Sequence, residues 1–194
     1  MSTNEGPVGV GFIGTGMISD TYLENLNRFP DVDVIALADI DPDRAAAQAE
    51  KHGVPVSGTP DAVLARSDIE IIVNLTIPAS HVPVSLAALE AGKHVWSEKP
   101  IGVDRAEALR LMEAATSAGL RLGIAPDTQL GPGMQTARRA ILRGDIGTPL
   151  AAYTALQYAG SDMFHPNPEF LFQRGGGPLF DMGPYYLTAL ASVF

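Results

Sequence analysis

The sequence predicts an α/β fold, in which a doubly wound parallel sheet is followed by part of a second, α+β domain. Short β-branched runs alternate with Ala- and Leu-rich amphipathic stretches through about the first 125 residues. The strand-like runs are continuously apolar, which is typical of parallel strands covered by helices on both faces. A glycine-rich turn follows the first of these runs directly, as in Rossmann-type domains.

Strands and helices alternate regularly in the first part of the chain. The first two strands read VGVGFI and VDVIALA, and the fourth reads IEIIVNL. Asp41 is a predicted N-cap with Pro42 in the first helical turn, and Gly53, Gly92 and Gly119 mark helix ends. In chain order, the predicted strands are Val8–Ile13, Val32–Ala38, 54–56, 69–75, 94–96 and 121–125, and the predicted helices are 17–29, 42–52, 60–65, 81–91 and 104–118.

The composition changes at Pro126, and we place a domain boundary there, between residues 1–125 and 126–194. Beyond it the sequence predicts a helix at 136–142, a longer strand at 149–158 and a final helix at 184–193. A loop rich in Pro, His, Asn and Gly separates the last two elements. Loops of this length are usually functional or disordered.

The charge and residue usage exclude several classes of protein. A net charge of -9 and a pI near 4.7 argue against nucleic acid or an anionic membrane as a partner. The absence of cysteine excludes disulfides, thiol catalysis and Cys-ligated metals, and four histidines without ligand spacing predict no metal site. With no apolar run long enough for a signal peptide or membrane helix, we expect a cytoplasmic protein.

A glycine-rich turn opens the first helix and predicts a dinucleotide site. Gly14 allows the tight turn, and Gly16 lets a pyrophosphate approach the backbone beside the free N–H groups of the helix N-terminus. Ser19 replaces the third glycine of the fingerprint and still permits close packing. Glycines also occur in ordinary turns, but the flanking strand and helix favour cofactor binding. The residues expected to hold the cofactor here are Gly14, Thr15, Gly16, Met17 and Ile18.

Asp39 ends the second strand, 23 residues after Gly16. An acidic residue at this place accepts hydrogen bonds from the ribose 2′-OH of NAD and repels the 2′-phosphate of NADP. Asp41 and Asp43 add negative charge, and Arg44 is the nearby group that can counter it. The sequence therefore favours NAD over NADP.

Two further segments follow strands at the same predicted edge of the sheet. Thr76 and Pro78 follow the fourth strand and can line the cofactor; His81 is either a cofactor contact or a helix-start residue bonded to local backbone. Glu98 and Lys99 follow the fifth strand, and the next proline keeps Lys99 extended. Lys99 is either an ordinary surface lysine or a group that polarises a substrate oxygen and assists proton transfer.

The glycine triplet at 175–177 begins a second unusual segment, which contains Asp181 and Tyr185. These two residues share one helix face if a helix begins near Asp181, or Asp181 is simply an N-cap. His165, in the preceding loop, is either a substrate contact or a plain loop residue.

Together these motifs resemble the glucose–fructose oxidoreductase, inositol dehydrogenase and MocA-like (Gfo/Idh/MocA) family. The matching segments are 11–16, Asp39, 74–81, 98–100 and 175–186. The resemblance covers essentially the whole chain. The Glu-Lys-Pro segment is specific in combination with the glycine triplet and the Asp-x-Gly sequence after it.

The resemblance implies a two-domain NAD(P)-dependent oxidoreductase, with dinucleotide binding at 1–125 and the start of a substrate domain at 126–194. It implies that Lys99 contacts nicotinamide and substrate and that Asp181 belongs to the catalytic group. The family commonly has histidine where this chain has Tyr185, and the ordinary pKa of tyrosine, about 10, makes it a poor base. The acid–base is therefore left among Tyr185, His165 and Lys99.

The expected reaction is hydride transfer between NAD(H) and a secondary alcohol or ketone of a sugar, inositol or related polyol. Family members are considerably longer and often oligomeric. We therefore expect a fragment, an early termination or a short form completed by another subunit, poorly active alone and homo-oligomeric at full length. The alternative is a non-catalytic NAD-binding or interface subunit.

Overall fold

The computed structural model describes residues 6–157, 159–163 and 165–194. The chain divides into two compact units between Ile124 and Ala125. None of the helices in these described ranges is long and apolar enough to cross a membrane.

The described part of the first unit contains a six-stranded sheet. Its strands are β1 (Val8–Ile13), β2 (Val32–Ala38), β3 (Val56–Gly58), β4 (Ile71–Asn74), β5 (His94–Ser97) and β6 (Leu122–Ile124). They are all parallel, in the order β3-β2-β1-β4-β5-β6. The chain direction across the sheet reverses between β1 and β4, where ligands of such sheets bind beyond the carboxyl ends of the strands.

Helices cover both faces of this sheet. They are α1 (Ile18–Leu26), α2 (Pro42–His52), α3 (Pro60–Leu64), α4 (His81–Glu90) and α5 (Arg105–Ala118). Successive β1 side chains point to opposite faces: Phe12 packs in one buried cluster with Leu23 of α1, and Ile13 packs in the other with Leu111 of α5. The doubly wound α/β prediction is confirmed.

Side-chain and glycine caps mark the ends of α2 and α5, and those at Asp41, Gly53 and Gly119 were predicted. The Asp41 side chain accepts hydrogen bonds from the first backbone N–H groups of α2, and the Asp104 side chain accepts one from Glu107 at the start of α5. Gly53 and Gly119 adopt left-handed conformations, with φ values of 69° and 67°, at the ends of the same helices.

Four strands differ in their bounds from the prediction: β5 and β6 by one residue at an end, and β3 and β4 by up to two. The edge strand begins at Val56 and not at residue 54, because the N–H of Val54 bonds to the carbonyl of Ala49 and so completes the end of α2. β4 begins at Ile71 and not at Ile69. Ile69 is buried beside the strand, and a buried apolar residue there has the same sequence signature as one within the strand.

The described part of the second unit is helical. It contains α6 (Pro132–Leu142), α7 (Gly177–Asp181), α8 (Gly183–Ala191) and short 3₁₀ turns at Asp127–Leu130, Ser161–Met163 and Pro168–Phe172. α6 begins earlier than predicted, with Pro132 in its first turn.

The predicted strand at 149–158 is wrong for its described residues, 149–157, which have no regular structure. Leu150 and Tyr153 are 91% and 90% exposed. A strand needs hydrogen bonds from a neighbouring strand, and the described residues of the second unit contain no strand to supply them. Tyr158 lies outside the described residues.

Candidate functional site

The carboxyl ends of four neighbouring strands gather most of the predicted cofactor residues at one edge of the sheet. The glycine-rich turn follows β1, Asp39 follows β2, Thr76 follows β4 and Glu98 follows β5. These strands occupy the centre of the sheet, on both sides of the point where the strand order reverses. Their loops therefore lie where sheets of this topology bind their ligands.

The two glycines of the turn have different surroundings. Gly14 has a φ of 98°, and a Cβ atom there would lie 2.6 to 2.8 Å from backbone atoms of Leu75 and Thr76. A Cβ atom on Gly16 would meet nothing within 4 Å. Gly14 is therefore required by the fold, whereas Gly16 leaves open space above the backbone just before α1. That space is the kind of cradle a pyrophosphate group occupies.

Asp39 is joined to the turn by two hydrogen bonds. The backbone N–H and the hydroxyl of Thr15 donate to Oδ2 of Asp39, at 2.7 and 2.9 Å. The N–H of Asp41 donates to Oδ1, at 3.0 Å. Burial by itself raises the pKa of Asp39, but these hydrogen bonds outweigh it and hold the pKa below its ordinary value. The side chain is therefore a carboxylate at neutral pH.

Arg44 lies beside this carboxylate. Its Nη1 atom is 3.7 Å from Oδ1 of Asp39, and its Nη2 atom is 3.4 Å from Oδ2 of Asp41. The Arg44 side chain is 47% exposed, whereas that of Asp39 is 5% exposed. A ligand reaching this corner therefore meets a fixed negative charge and an accessible positive one.

The loop after β4 is organised by Asn74, to which the sequence assigned no separate role. Oδ1 of Asn74 accepts hydrogen bonds from the N–H and the hydroxyl of Thr76, and Nδ2 donates to the carbonyl of His81 and to Ser85. Asn74 is fully buried, so every amide atom needs a partner. A polar residue at the end of an otherwise apolar strand was the available sequence signal.

His81 has the geometry of the second alternative, a helix-start residue bonded to backbone. It is 1% exposed, and its ring nitrogens lie 2.7 Å from the Pro100 carbonyl and 2.9 Å from the Thr76 carbonyl. Burial lowers the pKa of His81, and the two carbonyl oxygens oppose this effect without reversing it. Its ring nitrogens therefore join the loop after β4 to the loop after β5.

Glu98 and Lys99 follow β5 at the same edge. Oε1 of Glu98 accepts a hydrogen bond of 2.8 Å from the hydroxyl of Tyr22, and Oε2 accepts one of 3.0 Å from the N–H of Lys99. The contact with Tyr22 joins residues 76 positions apart, and no local pattern could have found it. The peptide bond between Lys99 and Pro100 is cis.

The other candidate residues lie in the second unit. Asp181 ends α7 and Tyr185 lies in α8, so the two do not share one helix face, and the N-cap of α8 is Met182. The break between the helices falls at Met182. Both expectations for Asp181, a shared face and an N-cap, are therefore wrong.

Ser161 connects Asp181 with the segment that contains His165. The Ser161 hydroxyl donates to Oδ2 of Asp181 at 2.8 Å, and the N–H of His165 donates to the Ser161 carbonyl at 3.0 Å. The N–H of Asn167 donates to Nδ1 of His165. The sequence analysis missed Ser161, because a serine in a long polar loop carries no distinguishing pattern.

Comparison with known proteins places this geometry in a family. Residues 8–125 match the Gfo/Idh/MocA model, described as an oxidoreductase family with an NAD-binding Rossmann fold. Inositol 2-dehydrogenase 3 of Saccharopolyspora erythraea is 34% identical over 75% of this chain and 44% of its own length. Trans-1,2-dihydrobenzene-1,2-diol dehydrogenase of Mus musculus is 29% identical over 95% of this chain and 55% of its own length.

Solved structures agree in fold. A putative myo-inositol dehydrogenase from Sinorhizobium meliloti has a TM-score of 0.79 at 24% identity, covering 96% of this chain and 55% of that one. A mutant 3-ketoreductase from Actinomadura kijaniata, in complex with TDP-benzene and NADP, has a TM-score of 0.67 at 33% identity, covering 73% and 44%. The chain spans about half the length of the curated relatives it matches. It belongs to the Gfo/Idh/MocA oxidoreductase family, which has an NAD-binding Rossmann fold.

Proposed function

We propose that this protein is an NAD(H)-dependent oxidoreductase acting on a secondary alcohol or ketone of a sugar, inositol or related polyol. The observation that carries the proposal is the pairing of Asp39 with the glycine turn, on the same sheet edge as Lys99. The names of the relatives support the substrate class, since they include dehydrogenases of inositol and of a cyclic diol.

The residues of the first unit fit a dinucleotide. The open space at Gly16, beside the N-terminus of α1, suits a pyrophosphate group, and Asp39 suits the adenosine ribose hydroxyls. Met17 and Ile18 are 47% and 40% exposed at the same turn, so they offer apolar contact area. Thr76, Pro78 and Glu98 would line the remaining length of the cofactor.

We further propose NAD as the preferred cofactor. The carboxylate of Asp39 is fixed by Thr15 and Asp41, so it cannot turn away from a 2′-phosphate. Arg44 is the group through which NADP could still bind, and a relative by structure is in complex with NADP. The buried charge weighs more heavily than the exposed one, because water screens Arg44.

The chain's own residues would move the proton that accompanies hydride transfer. NAD(H), when bound, supplies the hydride acceptor or donor at its nicotinamide ring. Lys99 would orient the substrate oxygen and stabilise its developing charge. We assign the remaining proton transfer to Asp181 together with Tyr185 or His165, and Ser161 would orient the Asp181 carboxylate.

The test is NAD⁺-dependent oxidation of a panel of polyols by the wild-type protein and by Lys99→Ala. We expect turnover by the wild type and a fall in kcat of at least about a hundredfold in Lys99→Ala, with NADH affinity within about twofold. Lys51→Ala is the matched control, because Lys51 is 57% exposed and lies outside the proposed site. Equal kcat values for Lys99→Ala and the wild type would refute the assignment.

The second candidate function is a non-catalytic NAD-binding or interface subunit. It rests on the first unit alone, where Thr15 joins the glycine turn to Asp39 without any contribution from Lys99. NADH binding without turnover of any polyol by the wild type, combined with a larger particle mass in solution, would support this candidate.

A further inference from the structure

We propose that Tyr22 is a positioning residue, which acts through Glu98 to hold the Lys99 segment against helix α1. This inference rests on the proposed function, in which Lys99 orients the substrate. Tyr22 would thereby connect the helix that begins at the cofactor turn with the group that handles the substrate oxygen.

The hydroxyl of Tyr22 lies at the centre of a three-residue chain of hydrogen bonds. It donates to Oε1 of Glu98 at 2.8 Å and accepts from Nε1 of Trp96 at 3.2 Å. One hydroxyl therefore contacts two side chains, that of Trp96 in β5 and that of Glu98 directly after β5. Because one acceptor is a carboxylate, this is the stronger kind of hydrogen bond.

Glu98 passes this restraint on to the Lys99 backbone. Its second carboxylate oxygen accepts the N–H of Lys99 at 3.0 Å, and its own N–H donates to the carbonyl of Asn74 at 2.9 Å. Both carboxylate oxygens of Glu98 are thus hydrogen-bonded, one to Tyr22 of α1 and one to the backbone of Lys99. A shift of the carboxylate would move Lys99 with it.

The Tyr22 ring is itself held in place. It meets Phe12 edge to face, with the ring centroids 6.5 Å apart and an interplanar angle of 85°. Phe12 is fully buried in β1. Tyr22 lies one helical turn after Ile18, where α1 begins, so it belongs to the part of the helix closest to the cofactor turn.

Removing the hydroxyl alone separates positioning from folding. Tyr22→Phe keeps the ring and its contact with Phe12 but frees Glu98. We expect kcat to fall about tenfold while NADH affinity stays within about twofold, because the substitution leaves the Thr15–Asp39 hydrogen bonds of the glycine turn unchanged. Tyr153→Phe makes the same chemical change at a side chain that is 90% exposed and should leave kcat unchanged.

A double-variant cycle tests whether Tyr22 acts through Glu98. Glu98→Gln and Tyr22→Phe should lower kcat by less in combination than the product of their separate effects, because each breaks the same connection. Fully multiplicative losses, or an unchanged kcat in Tyr22→Phe, would overturn the proposal.

A spectroscopic measurement tests the positioning without turnover. The chain has three lysines, at positions 51, 93 and 99, and ¹³C-methylation of their amines gives NMR signals that can be assigned by substitution. In Tyr22→Phe the Lys99 signal should move and the Lys51 signal should not. The indole N–H signal of Trp96, the only tryptophan, should move as well.

The two readouts distinguish failure of this inference from failure of the proposed function. A moved Lys99 signal in a protein that oxidises no polyol would retain the positioning role and reject the oxidoreductase. An unmoved Lys99 signal would overturn the positioning role, whatever the turnover.

Discussion

The backbone N–H and the hydroxyl of Thr15 donate to the same carboxylate oxygen of Asp39, which lies 24 residues later and directly follows the neighbouring strand β2. Thr15 lies between the two glycines of the turn. The turn that suits a pyrophosphate and the acid that suits a ribose are therefore one hydrogen-bonded unit.

Replacing the carboxylate should change cofactor preference. Asp39→Ser removes the charge that repels a 2′-phosphate and leaves Arg44 without its buried partner. We expect NADH affinity to fall about tenfold and NADPH affinity to rise, since about 1.4 kcal/mol of interaction corresponds to tenfold. Titrations with both cofactors measure the ratio. Asp43→Ser is the control on an exposed carboxylate nearby, and an unchanged ratio in Asp39→Ser would contradict the assignment.

Alanine at Gly14 should damage the fold. Its left-handed φ of 98° and the contacts of 2.6 to 2.8 Å that a Cβ atom would make predict a loss of at least about 2 kcal/mol in the free energy of unfolding. Gly16→Ala, by contrast, places its methyl group in open space and should unfold like the wild type. Urea titrations compare the two, and similar losses in both variants would contradict this reading of the turn.

Much of the first unit could be predicted from sequence because its signals are local. An apolar run such as Val32–Ala38, an Asp-Pro helix start at Asp41 and a left-handed Gly53 each act within a few residues. The strand predicted at 149–158 failed for the opposite reason. Its residues have a high propensity for strands, but a strand also needs a neighbouring strand to pair with, and a local sequence pattern does not reveal one.

In the candidate site, too, local features could be predicted from sequence and long-range contacts could not. The glycine turn and Asp39 stand at a recognisable spacing, so the sequence pointed to them directly. The contacts of Glu98 with Tyr22 and of Asp181 with Ser161 join segments 76 and 20 residues apart and leave no mark on either segment alone. Burial of His81 is likewise a property of the packed loops, and a histidine at a helix start does not reveal it.

The loss of unfolding free energy at acidic pH should depend on Asp20. Hydrogen bonds from Lys51 and His52, both 2.7 Å long, lower the pKa of Asp20 to about 2. A lowered carboxyl pKa stabilises the fold above the ordinary value of 3.8, and this contribution is lost as the pH falls through about 2. Because Asp20 is 35% exposed and screened by water, we expect Asp20→Asn to cost about 1 kcal/mol at neutral pH.

Chemical unfolding at neutral and acidic pH measures this contribution. The wild type and Asp20→Asn should converge below the lowered pKa, where both side chains are uncharged. Asp33→Asn removes an exposed carboxylate of β2 and serves as the control. A constant difference between wild type and Asp20→Asn at all pH values would count against the ion pairs.

His81 should make the protein less stable in mild acid. Its pKa is lowered by burial, so the unfolded chain binds a proton more readily than the folded one does. The contribution is present above the ordinary pKa of 6.5 and is lost as the pH falls through the lowered value. The slope of unfolding free energy against pH should be smaller in His81→Gln than in the wild type. Equal slopes would contradict a lower pKa of His81 in the folded protein than in the unfolded chain.

The most direct test of the central claim, that this chain holds NAD(H) on its glycine turn, is a titration of NADH against the wild type and Gly16→Ala. Energy transfer from Trp96, the only tryptophan, to NADH follows binding. The account predicts saturable binding by the wild type and at least about tenfold weaker binding by Gly16→Ala, at equal unfolding free energy, because the methyl group fills the pyrophosphate cradle. Equal affinity in the two proteins, or no saturable binding by the wild type, would contradict it.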